Sequence, residues 1–137
     1  MKKILFALLF AVTIVVSFAQ TETMGQNLPQ TVVYYFHGQF RCYSCTRIEE
    51  LTRMSLQKGF ARELASGAIL FRPVNVDLPQ NEHYISDYRL RTRSVVLSRV
   101  NGGKEINWKN LERVWDYFSD EKAFLGYIIS EIKSFRR

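Results

Sequence analysis

Thr31-Val-Val-Tyr-Tyr-Phe-His-Gly-Gln-Phe-Arg-Cys-Tyr-Ser-Cys-Thr-Arg47 places a strand signal, a loop and the opening of a helix in one uninterrupted run. Thr31 to Phe36 is β-branched or aromatic at every position, and six consecutive apolar or β-branched residues imply a strand buried on both faces. His37-Gly-Gln-Phe-Arg41 breaks that run and reads as a loop. From Cys42 onward the period changes: Ile48, Leu51 and Met54 recur at helical spacing, while Glu49, Glu50, Arg53 and Gln57 fall on other faces. A buried strand that feeds directly into an amphipathic helix is the first half of a strand-helix-strand unit.

Working outward, Gly59 is placed to break or kink this helix before Phe60 to Ala65, and Ser66-Gly67 ends it. Ile69 to Val76 predicts a second strand, with Pro73 as a blemish in it. Asp77-Leu78-Pro79 turns the chain, and Gln80 to Tyr88 predicts a short helix. Val95 to Val100 and Lys104 to Trp108 predict two strands joined by a hairpin at Asn101-Gly102-Gly103. Leu111 to Phe118 predicts a further helix. A last helix is capped by Ser119 or Asp120 and carries Phe124, Ile128, Ile132 and Phe135 on one face. A parallel unit followed by an antiparallel pair and a closing helix gives an α/β fold with a mixed four-stranded central sheet and helices on both sides.

Upstream, Lys2-Lys3 precedes an apolar run from Ile4 to Phe18 interrupted only by Thr13 and Ser17, and Ser17-Phe18-Ala19 supplies a small-residue cleavage site. This pattern predicts a secretory signal over residues 1–19, a polar tail over 20–30 and one domain over 31–137. An apolar run of about 15 residues is shorter than the roughly 20 that a spanning helix uses, so stable membrane insertion after cleavage is not expected. The implied localisation is extracytoplasmic, periplasmic in a two-membrane cell.

The full chain carries 19 Lys and Arg against 13 Asp and Glu, a net +6. Residues 1–19 contain two lysines and no acid, so the segment from residue 20 carries 17 bases against 13 acids, or +4. The acids are dispersed among the bases, which argues against a phosphate-tracking face and against nucleic-acid binding. Arg89, Arg91 and Arg93 form a local basic cluster.

Only two cysteines are present, three residues apart. A disulfide that closes so short a loop constrains little unfolded-chain entropy, so the pair reads as chemistry before it reads as a staple. At a helix start Cys42 meets unpaired backbone N–H groups and the positive end of the helix dipole, and both favour a thiolate. Arg41 and Arg47 place positive charge nearby. Cys42 is therefore assigned as nucleophile and Cys45, one turn further in, as the resolving thiol. His37, Arg41, Tyr43, Ser44, Arg47 and Ser94 are the flanking residues of this redox-active pair. Two other readings stay open: a purely structural disulfide, and a site for Cu(I) or another thiophilic ion held by two thiolates. The sequence offers no Cys-x-x-Cys partner pair for zinc, and no cofactor or metal is assigned.

The order of elements, and a Cys-x-x-Cys at the start of the first helix, resemble the thioredoxin superfamily over residues 31–137. Val33-Tyr-Tyr-Phe36 is similar to the strand leading into that family's active-site loop, and Val95 to Gly102 to its third strand and hairpin. More narrowly, Tyr34-Tyr-Phe-His-Gly38, Arg41-Cys-x-x-Cys45, Ile48-Glu49 and Val74-Asn-Val-Asp77 resemble small exported proteins labelled nitrophenyl compound nitroreductase subunit, ArsF family. The resemblance implies a thioredoxin-like three-layer α/β/α sandwich. It also implies thiol-disulfide exchange with another protein's disulfide, with re-reduction by a membrane thiol-electron transporter. A non-catalytic subunit of a redox complex is the remaining alternative. Nothing in the residues resembles a flavin site, and nitroreduction is not carried over. The chain departs from the superfamily at three places: Ser94 stands where it usually has a cis-proline, Tyr35 where it often has a buried acid, and Tyr43-Ser44 between the cysteines where thioredoxin has Gly-Pro.

Overall fold

The computed structural model describes residues 28–137. The signal segment over residues 1–19 and most of the tail over residues 20–30 lie outside the described residues. Four strands form one sheet: β1 Gln30–His37, β2 Ile69–Asn75, β3 Ser94–Asn101 and β4 Lys104–Asn110, in the order β2-β1-β3-β4. β1 pairs parallel with β2, Thr31 opposite Ile69, and antiparallel with β3, Tyr35 opposite Val95; β3 and β4 are antiparallel. The helices are α1 Tyr43–Gly59, α2 Ala61–Ala65, α3 His83–Asp87, α4 Val114–Tyr117 and α5 Glu121–Phe135. This is the thioredoxin-like three-layer arrangement with a mixed four-stranded sheet.

The uninterrupted apolarity of β1 is explained by its central position. Val33 and Tyr35 enter the larger core with Ile48, Leu51 and Leu56 of α1, Val95 and Leu97 of β3 and Phe124, Ile128 and Ile132 of α5. Val32, Tyr34 and Phe36 point to the opposite face and pack with Tyr88 and Val96. Tyr84 joins that second layer, where its ring lies 5.1 Å from Phe36 and 5.7 Å from Tyr34. β2 and β4 are the two edges, which is where Pro73, unable to donate to a ladder, is tolerated.

The hairpin between β3 and β4 turns on Gly102 and Gly103 with φ of +56° and +76°, the pair of positive angles that a two-residue type I′ turn needs and glycine adopts without strain. Gly59 is required for a different reason: a Cβ there would lie 2.9 Å from Ile129 Cγ1, so the end of α1 approaches α5 too closely for a side chain. The helical break nevertheless falls one residue later than Gly59, at Phe60, whose φ of −146° is non-helical. The helix expected over Gln80 to Tyr88 is two pieces, a 3₁₀ turn Pro79–Asn81 and α3. The helix expected over Leu111 to Phe118 contracts to α4, because Leu111 donates its N–H to Val95 O and so extends the sheet edge. α5 begins where the cap predicts it: Asp120 accepts from Ala123 N–H at 3.0 Å. Among the described residues no helix is long and apolar enough to cross a membrane.

Candidate active site: the Cys42–Cys45 disulfide and its cleft

The end of β1 and the start of α1 set the site. β1 finishes at His37, four residues cross the top of the sheet, and Cys42 becomes the N-cap of α1 with extended backbone angles of −81° and 169°. Its Sγ accepts the Cys45 N–H at 3.3 Å, and its carbonyl accepts the Thr46 N–H at 3.1 Å. The sulfur therefore occupies the place that a Ser or Asp oxygen takes in an ordinary N-cap, facing the unpaired N–H groups of the first turn. No acidic residue lies in that turn. Cys42 and Cys45 form a disulfide with Cα atoms 5.1 Å apart. Cys42 is exposed, whereas Cys45 retains 2% of its accessible surface. An incoming thiolate can reach one sulfur of the bond and not the other.

Tyr35 lies under Cys45. Its ring is fully buried, and its hydroxyl donates to the Cys45 carbonyl at 2.7 Å. Burial, foremost, pushes the phenol up to about 12; the nearby Glu49 carboxylate adds to this and Arg41 and Arg93 oppose it. At neutral pH Tyr35 is a hydrogen-bond donor with its proton already committed. It holds the Cys45 carbonyl from below.

The two arginines read from the sequence as free positive charge are both paired. Arg41 forms an ion pair with Glu49, which also holds Arg53 at 3.0 Å, and its guanidinium lies over the Tyr35 ring at 5.8 Å. Arg47 binds Glu121 at 3.1 Å and Glu50 at 3.9 Å, tying α1 to the first turn of α5. The positive field at Cys42 is consequently the helix N-terminus first, with the arginines partly offset by their partners. Glu49 offsets Arg41, and Glu121 and Glu50 offset Arg47.

Across the cleft from the disulfide stand Thr92, Arg93 and Trp115, with Phe40 and Arg41 on the near side. The Arg93–Ser94 peptide is trans, as are all the described peptide bonds. Ser94 is buried with Oγ donating to Thr92 O at 2.8 Å, and it does not line this cleft. Arg93 does, and its carbonyl accepts the Trp115 indole N–H at 2.9 Å. The residue that faces the cysteines is thus Arg93, one position before the one the order of elements indicates. His37 does not reach the cleft either: its Nδ1 lies 2.9 Å from Gly38 O and its ring stacks on Tyr35 at 5.9 Å. Tyr43 is 79% exposed and Phe40 85% exposed, an apolar rim around Cys42. Ser44 is half-buried between the cysteines. Among the described residues no group of three or more His, Cys, Asp and Glu side chains converges on a point that could hold a metal.

No family model matches the chain, and no curated protein matches it. Solved structures do. Thioredoxin-2 of the malaria parasite, described as a component of its protein secretion machinery, shares 19% identity over 77% of this chain and 84% of its own, with a TM-score of 0.45. Thioredoxin from Trypanosoma brucei brucei shares 18% over 76% of each chain, with a TM-score of 0.42. A thioredoxin from Thermus thermophilus shares 19% over 69% of this chain and 72% of its own, with a TM-score of 0.40. These figures mark a distant likeness of fold; the strand order and the disulfide at the start of α1 carry the fold assignment by themselves.

Proposed function

We propose that this protein is an exported thiol-disulfide oxidoreductase or thiol electron carrier that works through Cys42 and Cys45. The single observation that carries the reading is the asymmetry of the pair: Cys42 exposed as the cap of α1, Cys45 buried behind it. In the reductive direction the Cys42 thiolate attacks one sulfur of a partner disulfide. The partner's S–S bond breaks, a mixed disulfide forms at Cys42, and the departing thiolate takes up a proton. Cys45 then loses its proton and attacks Cys42 Sγ, which closes the intramolecular disulfide and frees the second partner thiol. Two electrons pass to the partner, and the disulfide form described here is the product. The same steps run backwards oxidise a partner dithiol.

The partners are a protein disulfide or dithiol and a membrane thiol-electron transporter that resets the pair. Export is supported by Lys2-Lys3, the apolar run and Ser17-Phe18-Ala19. The matches in Tyr34 to Gly38, Arg41 to Cys45 and Val74 to Asp77 support a place beside the exported proteins of the ArsF-family label.

The test is a redox titration of the chain in glutathione and dithiothreitol buffers, read as a mass shift after alkylation, beside a Cu(I) competition assay. Reversible cycling between dithiol and disulfide is expected. A pair that cannot be cycled, or that holds Cu(I) through both thiolates without exchange, replaces this reading with that of a thiophilic-metal binding module.

A further inference from the structure

The loop between α3 and β3 carries Arg89, Arg91 and Arg93 within five residues and ends in the wall opposite the disulfide. Two features, the Arg89 backbone and the buried Arg93 Nε, set it apart from an ordinary solvated basic stretch. Arg89 is the only non-glycine among the described residues with positive φ, +50°, a conformation that costs a residue with a Cβ and is held only where the surroundings fix it. Arg89, Arg91 and Arg93 form no ion pair among the described residues, as Arg62, Arg72, Arg99 and Arg137 also do not, so the charge of the loop is open to a partner. The Nε of Arg93 is buried without a hydrogen-bond partner, which native interiors rarely leave so.

The three arginines are also connected to the reactive sulfur. Thr92 and Arg93 line the cleft over Cys42 and Cys45 and, at the same time, two adjoining depressions. One of these contains Arg91, His37 and Asp77, the other Arg89, Arg91 and Glu112. The disulfide cleft itself is lined by Arg41, whose charge Glu49 partly offsets, and by Arg93, whose Nη2 lies beside Gly38, as Asp77 Oδ2 does. The near rim of the recess is Phe40 and Tyr43, both largely exposed. A groove of this kind accepts a chain that passes through it with its sulfur at Cys42. The charge it offers selects carboxylates on that chain, in a protein whose residues from 20 onward carry a net charge of only +4.

We infer that the Arg89–Arg93 loop is the recognition element for the exchange partner, and that this partner is a polypeptide segment whose reactive cysteine is flanked by acidic side chains. The inference rests on the exchange function proposed above. The loop ends in the wall across the cleft from Cys42 and Cys45 and brings guanidinium groups to it. It would steer encounter and choose among partners by their charge more than it would change the chemistry at sulfur.

The experiment uses the reduced full chain and three short peptides that differ only beside their single cysteine, with Glu, Gln or Lys on each side, each activated as a thiopyridyl disulfide. Release of thiopyridone is followed by absorbance, and each rate is divided by that of dithiothreitol with the same peptide, which removes the peptide's own electrostatics. At low ionic strength the Glu peptide is expected to react about ten-fold faster than the Gln peptide and faster still than the Lys peptide. The ratio should fall below about two in roughly 0.5 M NaCl, where screening acts within a few ångströms. Arg91→Glu should bring the Glu-to-Gln ratio to about one or below, compared within the same variant. The salt series on the unaltered chain gives the answer independently, should that variant fail to fold. Equal rates for the three peptides at low salt overturn the proposal and leave exchange intact. No reaction with any peptide overturns both.

Discussion

Replacing Tyr35 by phenylalanine removes one hydroxyl and keeps the buried ring. The lost interaction is the O–H bond to the Cys45 carbonyl at 2.7 Å; that carbonyl lies inside α1 and keeps its in-helix partner. A net loss of about 1 kcal/mol at neutral pH is expected for one such bond, a fall in Tm of about 4 °C for a domain of this size. The pH dependence is more discriminating. The Tyr35 phenol is raised from 10.0 in the open chain to about 12 in the folded one. Its contribution is therefore complete below pH 10 and is lost as pH rises through 12. Full ionisation would remove about 3 kcal/mol, of which about 2 kcal/mol is gone by about pH 11.5. The substituted ring has nothing to ionise. The variant should be about 1 kcal/mol less stable than the parent at about pH 8, equal to it at about pH 11, and about 1 kcal/mol more stable at about pH 11.5. Tyr34, Tyr88 and Tyr127, also raised by burial, are common to both proteins and cancel in the difference. The assay is urea unfolding of the disulfide form, followed by Trp fluorescence at a series of pH values. A stability gap that stays constant from about pH 8 to about pH 11.5 refutes the placement of a buried, neutral phenol beneath Cys45.

Other outcomes are equally concrete. In the reduced protein, iodoacetamide at neutral pH should modify exposed Cys42 well before Cys45, and Cys45→Ser should accumulate mixed disulfides while Cys42→Ser accumulates none; mass spectrometry reads both, and labelling of Cys45 first would reverse the assigned roles. Glu49→Gln releases Arg41 from its ion pair beside the site and should raise the Cys42 alkylation rate at neutral pH about two-fold, the scale of one partly exposed charge pair; an unchanged or slower rate would show that the helix terminus alone sets reactivity. Asp120→Ala removes the α5 cap and should cost about 1 kcal/mol in urea unfolding with no effect on thiol exchange; a change in exchange rate would link α5 to the site.

The features legible in the sequence are those written into period and turn chemistry. The double burial of β1, the change of period at Cys42, the glycines of the hairpin and the Asp120 cap each have a local cause, and each is readable. What escapes such a reading is settled by tertiary partners. Thr52 and Ser55 look like surface residues of α1, yet both are buried, because each hydroxyl donates to the carbonyl four residues back at 2.7 Å and so satisfies itself without solvent. Arg41 and Arg47 are readable as neighbours of the cysteines but not as members of ion pairs, since Glu121 is 74 residues from Arg47. Placing Ser94 opposite the disulfide rests on counting back from the hairpin, and a one-residue error in such a count exchanges the side chain that faces the cleft, here for Arg93.

The strand order has a consequence for how the site comes into being. Cys42 and Cys45 are three residues apart, so their sulfurs meet through local motion in an unfolded chain. The wall they face is contributed by Thr92 and Arg93, which are fixed only when β3 docks on β1, bringing Val100 opposite Gln30 and Ser94 opposite Phe36. Contacts of such long sequence separation form late in folding. On the exchange function and recognition loop proposed above, a newly made chain would therefore have its pair of cysteines before it has the wall that selects a partner for them.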